Sequence, residues 1–482
     1  MTDARIMAHP VPRAIDDVAD YYAHAAVRDR LVEYCGGVAG AAPTAAYVAA
    51  LRDDQRPHLT WERSVSIPAG QMATLFTEPG DLSRSLWDTA SLLFVLDVDY
   101  QNVDVPQEPF THPAEAFFKL EPVYRATRQV LARYGLPALD LMTGRGYHFT
   151  GRIPLDHAVV DQLVELVPEP PAWFATCHQR QPAGLAPPMT VRQARGSAGL
   201  GLLLEHLAHL VLRRAAGSSA IPVVVNGTVV GHVGAAGREC VSLDFSHVGD
   251  PLDTRHARLA FGTYQWHRFR PDIFGRAAAA FPPLVALPRR HRGLVGMLAR
   301  GRGLDTAARE ARRSTAVLPN LEAGIGRLLA DYASSPLAAF HREFHDGLRA
   351  APDAVRSLDP ASLPPCIAAC LIKPNDLLLR PEHVQYLTRA LLARGWQASD
   401  IAALVRAGYE ADHEWGDRWS RMHARTRAEF DVRVFAGLVA TGLDRLVDYN
   451  CVSAQEKGVC PGTGCAFDLR QDRDRLRSRG RI

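Results

Sequence analysis

The sequence predicts an α/β (α+β) region followed by a mostly α-helical one. Three observations carry that expectation. The run Leu92–Tyr100 (LLFVLDVDY) is apolar and rich in Val, Leu and Phe, which favours a strand over a helix. Around it, strand and helix patterns follow one another in the order of a mixed α/β domain. From Leu363 onward the chain reads as helices punctuated by cysteine. With 482 residues there is room for roughly two to four domains and an ample core. We read residues 1–290 as one domain, 291–357 as a helical linker and 358–482 as another domain.

The elements follow in order. Ile15–Tyr34 has helical spacing, with Asp16 or Asp17 near its start and Gly36-Gly37 past its end. Thr44–Leu51 is expected to add a helix, and Leu59–Ile67 alternates as a strand does. Residues 68–90 read as loop and short helix. His112–Tyr134 is a long amphipathic helix that continues through Pro122 or kinks there, and Gly135-Leu136-Pro137 ends it. Leu139–Met142 is a short strand, and TGRGYHFTGRI follows from Thr143 to Ile153. Val191–Arg214 looks helical. Ile221–Val230 places Asn-Gly between β-branched runs, the pattern of a hairpin. Val241–Phe245 is a strand bearing Asp244. Ala278–Arg292, rich in Pro and Arg, marks a domain edge, and residues 293–357 read as helices and loops. The tail Leu469–Ile482 mixes Arg with Asp and is expected to be solvated or frayed.

Hydrophobic residues make up 47% and charged residues 22%, the balance of a soluble globular protein. The net charge is +3, so no global field advertises nucleic acid, although local basic surface remains open. Lys119, Lys373 and Lys457 are the only lysines, so phosphate contacts fall mostly to guanidinium groups. No run reaches the roughly 18 apolar residues of a membrane span, and the N-terminus lacks the layout of a signal peptide. A reducing cytoplasm is the expected compartment. There the eight cysteines read as thiols or metal ligands, not disulfides.

In a strand, residues i and i+2 share a face, so Asp97 and Asp99 point the same way. Adjacent carboxylates repel, and a divalent cation between them removes the conflict. A solvent-facing strand end is the bland alternative for so short a motif. The glycine-bearing turn Thr143–His148 lets a backbone approach phosphate closely. Arg145 can fork onto phosphate oxygens, and His148 can donate to a triphosphate. An ordinary hairpin turn is the alternative there. Asp244, late in its own strand, is a third acid for a site holding two divalent ions, Mg²⁺ or Mn²⁺. Arg255, Arg258 and His267 follow it as candidates for phosphate or template backbone. Farther on, Cys451, Cys460 and Cys465 lie close together with Gly and Pro between them, and Cys366 and Cys370 precede them. Such spacing wraps a metal or an iron–sulfur cluster. Zinc is the rival occupant, though the spacing is not that of common zinc ribbons.

The order of these motifs resembles the archaeo-eukaryotic primase superfamily. A DxD strand, a small-x-x-Gly-x-His turn and a third strand acid are the marks of its small-subunit catalytic domain. The resemblance covers about residues 15–290. It implies that Asp97, Asp99 and Asp244 hold the metal ions and that Thr143, Arg145 and His148 bind triphosphate. The segment Phe261–His267 departs from the family pattern in having no Lys, and Arg255 and Arg258 are its possible substitutes. The second half resembles the iron–sulfur domain of the primase large subunit, which opens on Pro-Pro-Cys and closes on spaced cysteines. That implies a 4Fe–4S cluster on Cys366, Cys451, Cys460 and Cys465, with Cys370 as the spare. It also makes Arg380, Arg389 and Arg394 candidates for contact with nucleic-acid backbone. Together the two resemblances imply a primase/RRM-like catalytic domain fused to a helical iron–sulfur domain. The expected partners are single-stranded DNA, NTP or dNTP, and a helicase or other replication protein. Two alternatives stand beside it: a non-catalytic nucleic-acid-binding protein, and a non-templated nucleotidyltransferase of repair or defence.

Overall fold

Strand-forming runs rich in Val, Leu, Ile and Tyr build the sheets of the first half, with long helices between them. The computed structural model describes residues 16–38, 41–51, 65–77, 80–175, 189–227, 238–249, 256–289, 293–350, 357–372, 374, 380–411, 423–460, 462 and 465–479. In chain order the strands are β1 (Tyr47–Leu51), β2 (Val65–Pro68), β3 (Asp81–Ser85), β4 (Ser91–Asn102), β5 (Leu139–Met142), β6 (Gly146–Pro154), β7 (Val223–Val225), β8 (Glu239–Asp244), β9 (His256–Arg258), β10 (Thr263–Tyr264), β11 (Leu284–Val285) and β12 (Leu287–Pro288). The larger sheet runs β12-β5-β6-β4-β8-β7, with β7 parallel to β8 and every other pair antiparallel. A second sheet runs β2-β1-β3-β9. Beyond residue 293 the described elements are helical, apart from an isolated bridge between Arg152 and Asn320. The fold is thus an α/β region followed by a helical one.

Strand β4 positions the site. Phe94, Leu96 and Val98 are fully buried on one of its faces. Against that face packs the helix Pro113–Tyr134, whose Phe117 meets Tyr147 of β6 edge-on at 5.5 Å. That helix passes through Pro122 without interruption and ends at Gly135, whose φ of 61° suits glycine. The alternate face of β4 carries Val95, Asp97 and Asp99.

Several elements differ from expectation. Thr44–Leu51 contributes β1, not a helix: its Ala pair favours a helix locally, but β2 and β3 pair with it on both sides and bury it fully. Within 68–90, a short 3₁₀ helix is followed by β3, whose polar sequence DLSRS hides a buried strand. Arg84 there donates to Asp88 Oδ2 at 2.6 Å and to the Tyr34 carbonyl at 2.8 Å. The first helix breaks at His24, which is extended, into Asp16–Ala23 and Ala25–Tyr34. The second arm of the expected Asn-Gly hairpin, residues 228–230, lies outside the described residues; its first arm, Val223–Val225, pairs in parallel with Val241–Leu243, and Asn226 accepts from the Phe245 amide at 2.9 Å. The tail forms the helix Leu469–Arg479. It is docked, not frayed: Leu469 and Leu476 are buried, and Asp472 accepts from Arg394 at 2.6 Å.

One continuous apolar cluster runs from Val18 to Leu476, through sheet and helices alike. A buried charged joint ties the two regions. Glu205, on the helix Val191–Ala215, accepts from Arg433 at 3.0 Å and lies 3.2 Å from His341 Nε2. Glu205 is fully buried, and against the cost of burial His341 and Arg433 hold its carboxyl down at about 2. Among the described residues no helix is long and apolar enough to cross a membrane.

Candidate functional site

Antiparallel register brings the acids together. Asp97 of β4 stands opposite Asp244 of β8 on one side and opposite His148 of β6 on the other. His148, Asp97 and Asp244 therefore form one row across three neighbouring strands. Asp99 follows two residues along β4, opposite Gly146. These groups line a cleft of about 230 Å³, and Thr143, Arg145 and Arg258 line it too. The second sheet supplies further wall through Leu51 of β1 and His256 and Arg258 of β9.

The turn before β6 explains its own glycines. A Cβ on Gly146 would fall 2.1 Å from the Val98 carbonyl and 2.7 Å from Asp99 Oδ1; one on Gly144 would fall 2.7 Å from the Tyr264 ring. Close approach demands glycine at both positions. The turn is closed by the Thr143 amide donating to the Gly146 carbonyl at 2.9 Å.

Charge in the cleft is largely paired. Arg145 donates to Asp99 Oδ2 from Nε at 3.1 Å and Nη2 at 2.9 Å, and this carboxylate raises its pKa further. His148 Nδ1 lies 3.6 Å from Asp97 Oδ1. Burial pushes the His148 imidazole down to about 4, with Arg258 and Arg145 adding to the effect and Asp99 opposing it. His148 is thus neutral at pH 7 and can donate one hydrogen bond but no charge. Arg258 is braced: it donates to the Thr263 carbonyl at 2.6 Å, lies 3.3 Å from Asp81, and sits 4.4 Å over the Tyr264 ring. Asp244 accepts from the Ser246 amide at 2.7 Å.

Three further outcomes concern the expected residues. His267 is brought elsewhere: it is fully buried and stacks on Phe110 at 4.6 Å, because Trp266–Phe269 turns helical just past the cleft wall. Arg255 lies outside the described residues. Sequence reasoning missed Ser246, His247, His256, Tyr264 and Trp266 as lining groups. The aromatic pair Tyr264 and Trp266 was the available signal, standing in the very segment scanned for a Lys.

The cysteines gather as well. Cys366, on the helix Pro365–Ile372, and Cys451, Cys460 and Cys465 all line one cavity of about 230 Å³. Burial pushes the Cys366 thiol up to about 12, and its three cysteine neighbours add to the rise. Cys370 lies off the cavity, fully buried, with its Sγ 3.9 Å from the Cys366 carbonyl. Arg389 and Arg394 are also spoken for: Arg389 pairs with Asp444 at 2.7 Å and Asp448 at 3.2 Å, and Arg394 with Asp472. Neither presents a free guanidinium to nucleic-acid backbone, while Arg380 is exposed. Among the described residues, no group of three or more His, Cys, Asp or Glu side chains converges closely enough to hold a single metal ion. For the acids, Arg145 occupies part of the space. For the thiols, the hollow is wide; about 10–15 Å³ already admits a water molecule.

No family model matches the chain, and no curated protein matches it. Among solved structures it is similar to the polymerase domain from Mycobacterium tuberculosis Ligase D in complex with DNA. That likeness has 17% identity and a TM-score of 0.33, and covers 66% of this chain and 93% of that one. So loose a superposition decides nothing about activity.

Proposed function

We propose that the chain is a template-dependent nucleotidyltransferase of the primase or primase-polymerase kind, making or extending short RNA or DNA primers on single-stranded DNA. One observation carries the reading: His148, Asp97 and Asp244 stand in register on adjacent strands, with Asp99 and Arg145 beside them in one cleft. Asp97, Asp99 and Asp244 would hold Mg²⁺ or Mn²⁺. Such ions, when bound, activate an attacking hydroxyl and neutralise charge on a leaving pyrophosphate.

The chain's own residues would supply the rest. Arg145 forks onto triphosphate oxygens, a geometry suited to guanidinium. Neutral His148 donates one hydrogen bond to a phosphate oxygen. Thr143 and the two tight glycines bring the turn's backbone against the triphosphate. Arg258, braced on Tyr264, keeps a fixed positive wall. Cys366, Cys451, Cys460 and Cys465 would ligate a 4Fe–4S cluster, and the helical region around them would help place template and initiating nucleotide. A helicase or other replication protein is the natural partner of such an activity.

The test uses protein purified without oxygen, single-stranded DNA, labelled nucleotides and Mn²⁺, beside the double variant Asp97→Asn/Asp99→Asn. Products that follow the template and vanish in the variant are the expected result. Products that ignore the template point to non-templated transfer. No product from protein that still binds single strands points to a binding protein.

A further inference from the structure

Apart from the acid cleft and the cysteine cavity lies a larger hollow, of about 530 Å³. It opens between the helix Pro113–Tyr134 and the end of the helix Val191–Ala215. The first of these helices covers the face of β4 that carries Phe94, Leu96 and Val98, so the hollow stands across the sheet from the acid cleft. Arg125, Gln129 and Arg214 line it, with Gly217 and Ser218. Among the described residues no carboxylate lines it. Glu121, one turn before Arg125, is committed elsewhere: it accepts from Tyr147 Oη at 2.7 Å and from both Nη groups of Arg289 at 2.5 and 3.0 Å. Arg125 reaches it only loosely, Nε to Oε2 at 3.8 Å, with its own side chain 74% exposed. Arg214 is held in place by Gln129, whose Oε1 accepts from its Nε at 2.7 Å. That bond leaves both Nη groups of Arg214 and the amide nitrogen of Gln129 to donate. The Ala215 carbonyl, which would repel an anion at this helix end, is taken up by the amides of Ser218 and Ser219 at 2.9 and 3.0 Å. A Cβ on Gly217 would meet nothing within 4 Å, so the hollow is open there. Two guanidinium groups thus face one space with donors around it and no acid in it, an arrangement that phosphate oxygens complete.

We propose that this hollow is an anion site, separate from the acid cleft, which binds phosphate groups between Arg125 and Arg214. The chemistry recognised is that of a phosphate ester, whether a free nucleotide or a nucleic-acid backbone carries it. Arg214, already braced on Gln129, fixes the site. Arg125 turns its exposed guanidinium onto the anion and gives up only a loose ion pair. Binding makes and breaks no covalent bond. This site is independent of the chemistry assigned to the acid cleft.

Arginine labelling of the full chain by phenylglyoxal, read residue by residue by mass spectrometry, tests this. Inorganic pyrophosphate and a single-stranded oligodeoxythymidylate are the two probes. At a probe concentration well above its dissociation constant, labelling of Arg125 and Arg214 is expected to slow together by about tenfold, as mass action requires. Arg309, exposed on the helix Leu304–Ala311, is expected to label as before. Protection by pyrophosphate assigns the site to compact phosphates such as a free nucleotide carries; protection by the oligonucleotide alone assigns it to the backbone. No protection by either probe, or equal protection of Arg309, overturns the proposal. In Arg125→Gln, half-protection of Arg214 is expected to need about tenfold more of the protecting probe, because one of two charge-assisted contacts is gone. An unchanged concentration would mean that the two arginines act separately, and overturns the proposal as well. Arg125 is exposed, so the variant is expected to fold. Should circular dichroism show otherwise, the wild-type labelling against Arg309 decides. Labelling of Arg145 in the same spectra reports on the acid cleft, so loss of binding there and loss of binding here are told apart.

Discussion

The molecule holds two hollows of equal volume, about 230 Å³ each, built in opposite ways. The acid cleft is framed by strand register and offsets part of its own charge through Arg145 on Asp99. The cysteine cavity is framed by short helices and loops; beside its four thiols the lining is mostly apolar, and among the described residues no charged side chain lines it. Burial and mutual repulsion make Cys366 resist the thiolate form that a ligand must take. A self-compensated site can stay ordered without its ligand. A thiol cage gains its stability from whatever fills it.

That contrast can be broken or sharpened by experiment. The largest expected effect is on chemistry. Asp97→Asn or Asp244→Asn should each lower templated synthesis by about a thousandfold, since a lost ion ligand removes several kcal/mol of transition-state stabilisation. Because the sheet register does not depend on these carboxylates, thermal melting should hardly move. A large drop in melting temperature would show that the cleft is not self-supporting.

Next comes the joint between the two regions. Glu205→Gln leaves Arg433 and His341 buried beside a neutral amide, and should cost about 3–5 kcal/mol in urea unfolding. A cost below about 1 kcal/mol would mean that the two regions do not lean on this contact.

Cys460→Ser should remove the visible absorption of an anaerobically prepared sample and loosen the helical region, by about 2–4 kcal/mol if the cage depends on its occupant. Hydrogen exchange should then rise in peptides from 381–410 but not in those from 91–102 and 146–154. Equal loosening of both regions would erase the distinction drawn here.

Acid offers a finer probe. His148, His256 and His267 all sit near 4 through burial, against about 6.5 in an unfolded chain. Their folded values are depressed, so the stability they carry is complete above about pH 6.5. It is lost as pH falls toward 4, at up to about 1.4 kcal/mol per unit for each group. In the helical region His341 and His345, the latter to about 3, are pushed down too, but they stand at the joint with the α/β region; in the described residues after 357, His383 is the buried histidine pushed down by burial. Between pH 7.5 and 5.0, exchange corrected for its intrinsic rate should therefore quicken more in the α/β region and its joint than in the described residues after 357. The smallest effect belongs to Cys370→Ser. It should cost about 1 kcal/mol through burial of a hydroxyl and leave the absorption unchanged. Loss of absorption would place Cys370 among the ligands.

Local pattern made much of this legible. Asp97 and Asp99 share a face because strand periodicity is two, and the helices Pro113–Tyr134 and Val191–Ala215 follow from apolar spacing and their end signals. The nearness of Cys451, Cys460 and Cys465 followed from short spacing alone. Where tertiary contacts overrode local preference, reading failed. An Ala-bearing run became β1 between two strands, a polar run became β3 around a buried Arg84, and a charged tail became a docked helix through Asp472 and Arg394.

What the amino-acid sequence determined by itself, then, was the kind of chemistry: three carboxylates, a glycine-tight Arg and His turn, and a cysteine set. Only the tertiary structure decided who meets whom. It set Asp244 opposite Asp97, closed Arg145 onto Asp99, sent His267 into an apolar cluster, and kept Cys370 off the cavity that Cys366 lines. The physical reason is range. Periodicity and turn chemistry act over a few residues. Register between β4 and β8 joins residues more than a hundred positions apart, and it is settled by burying both sheet faces at once.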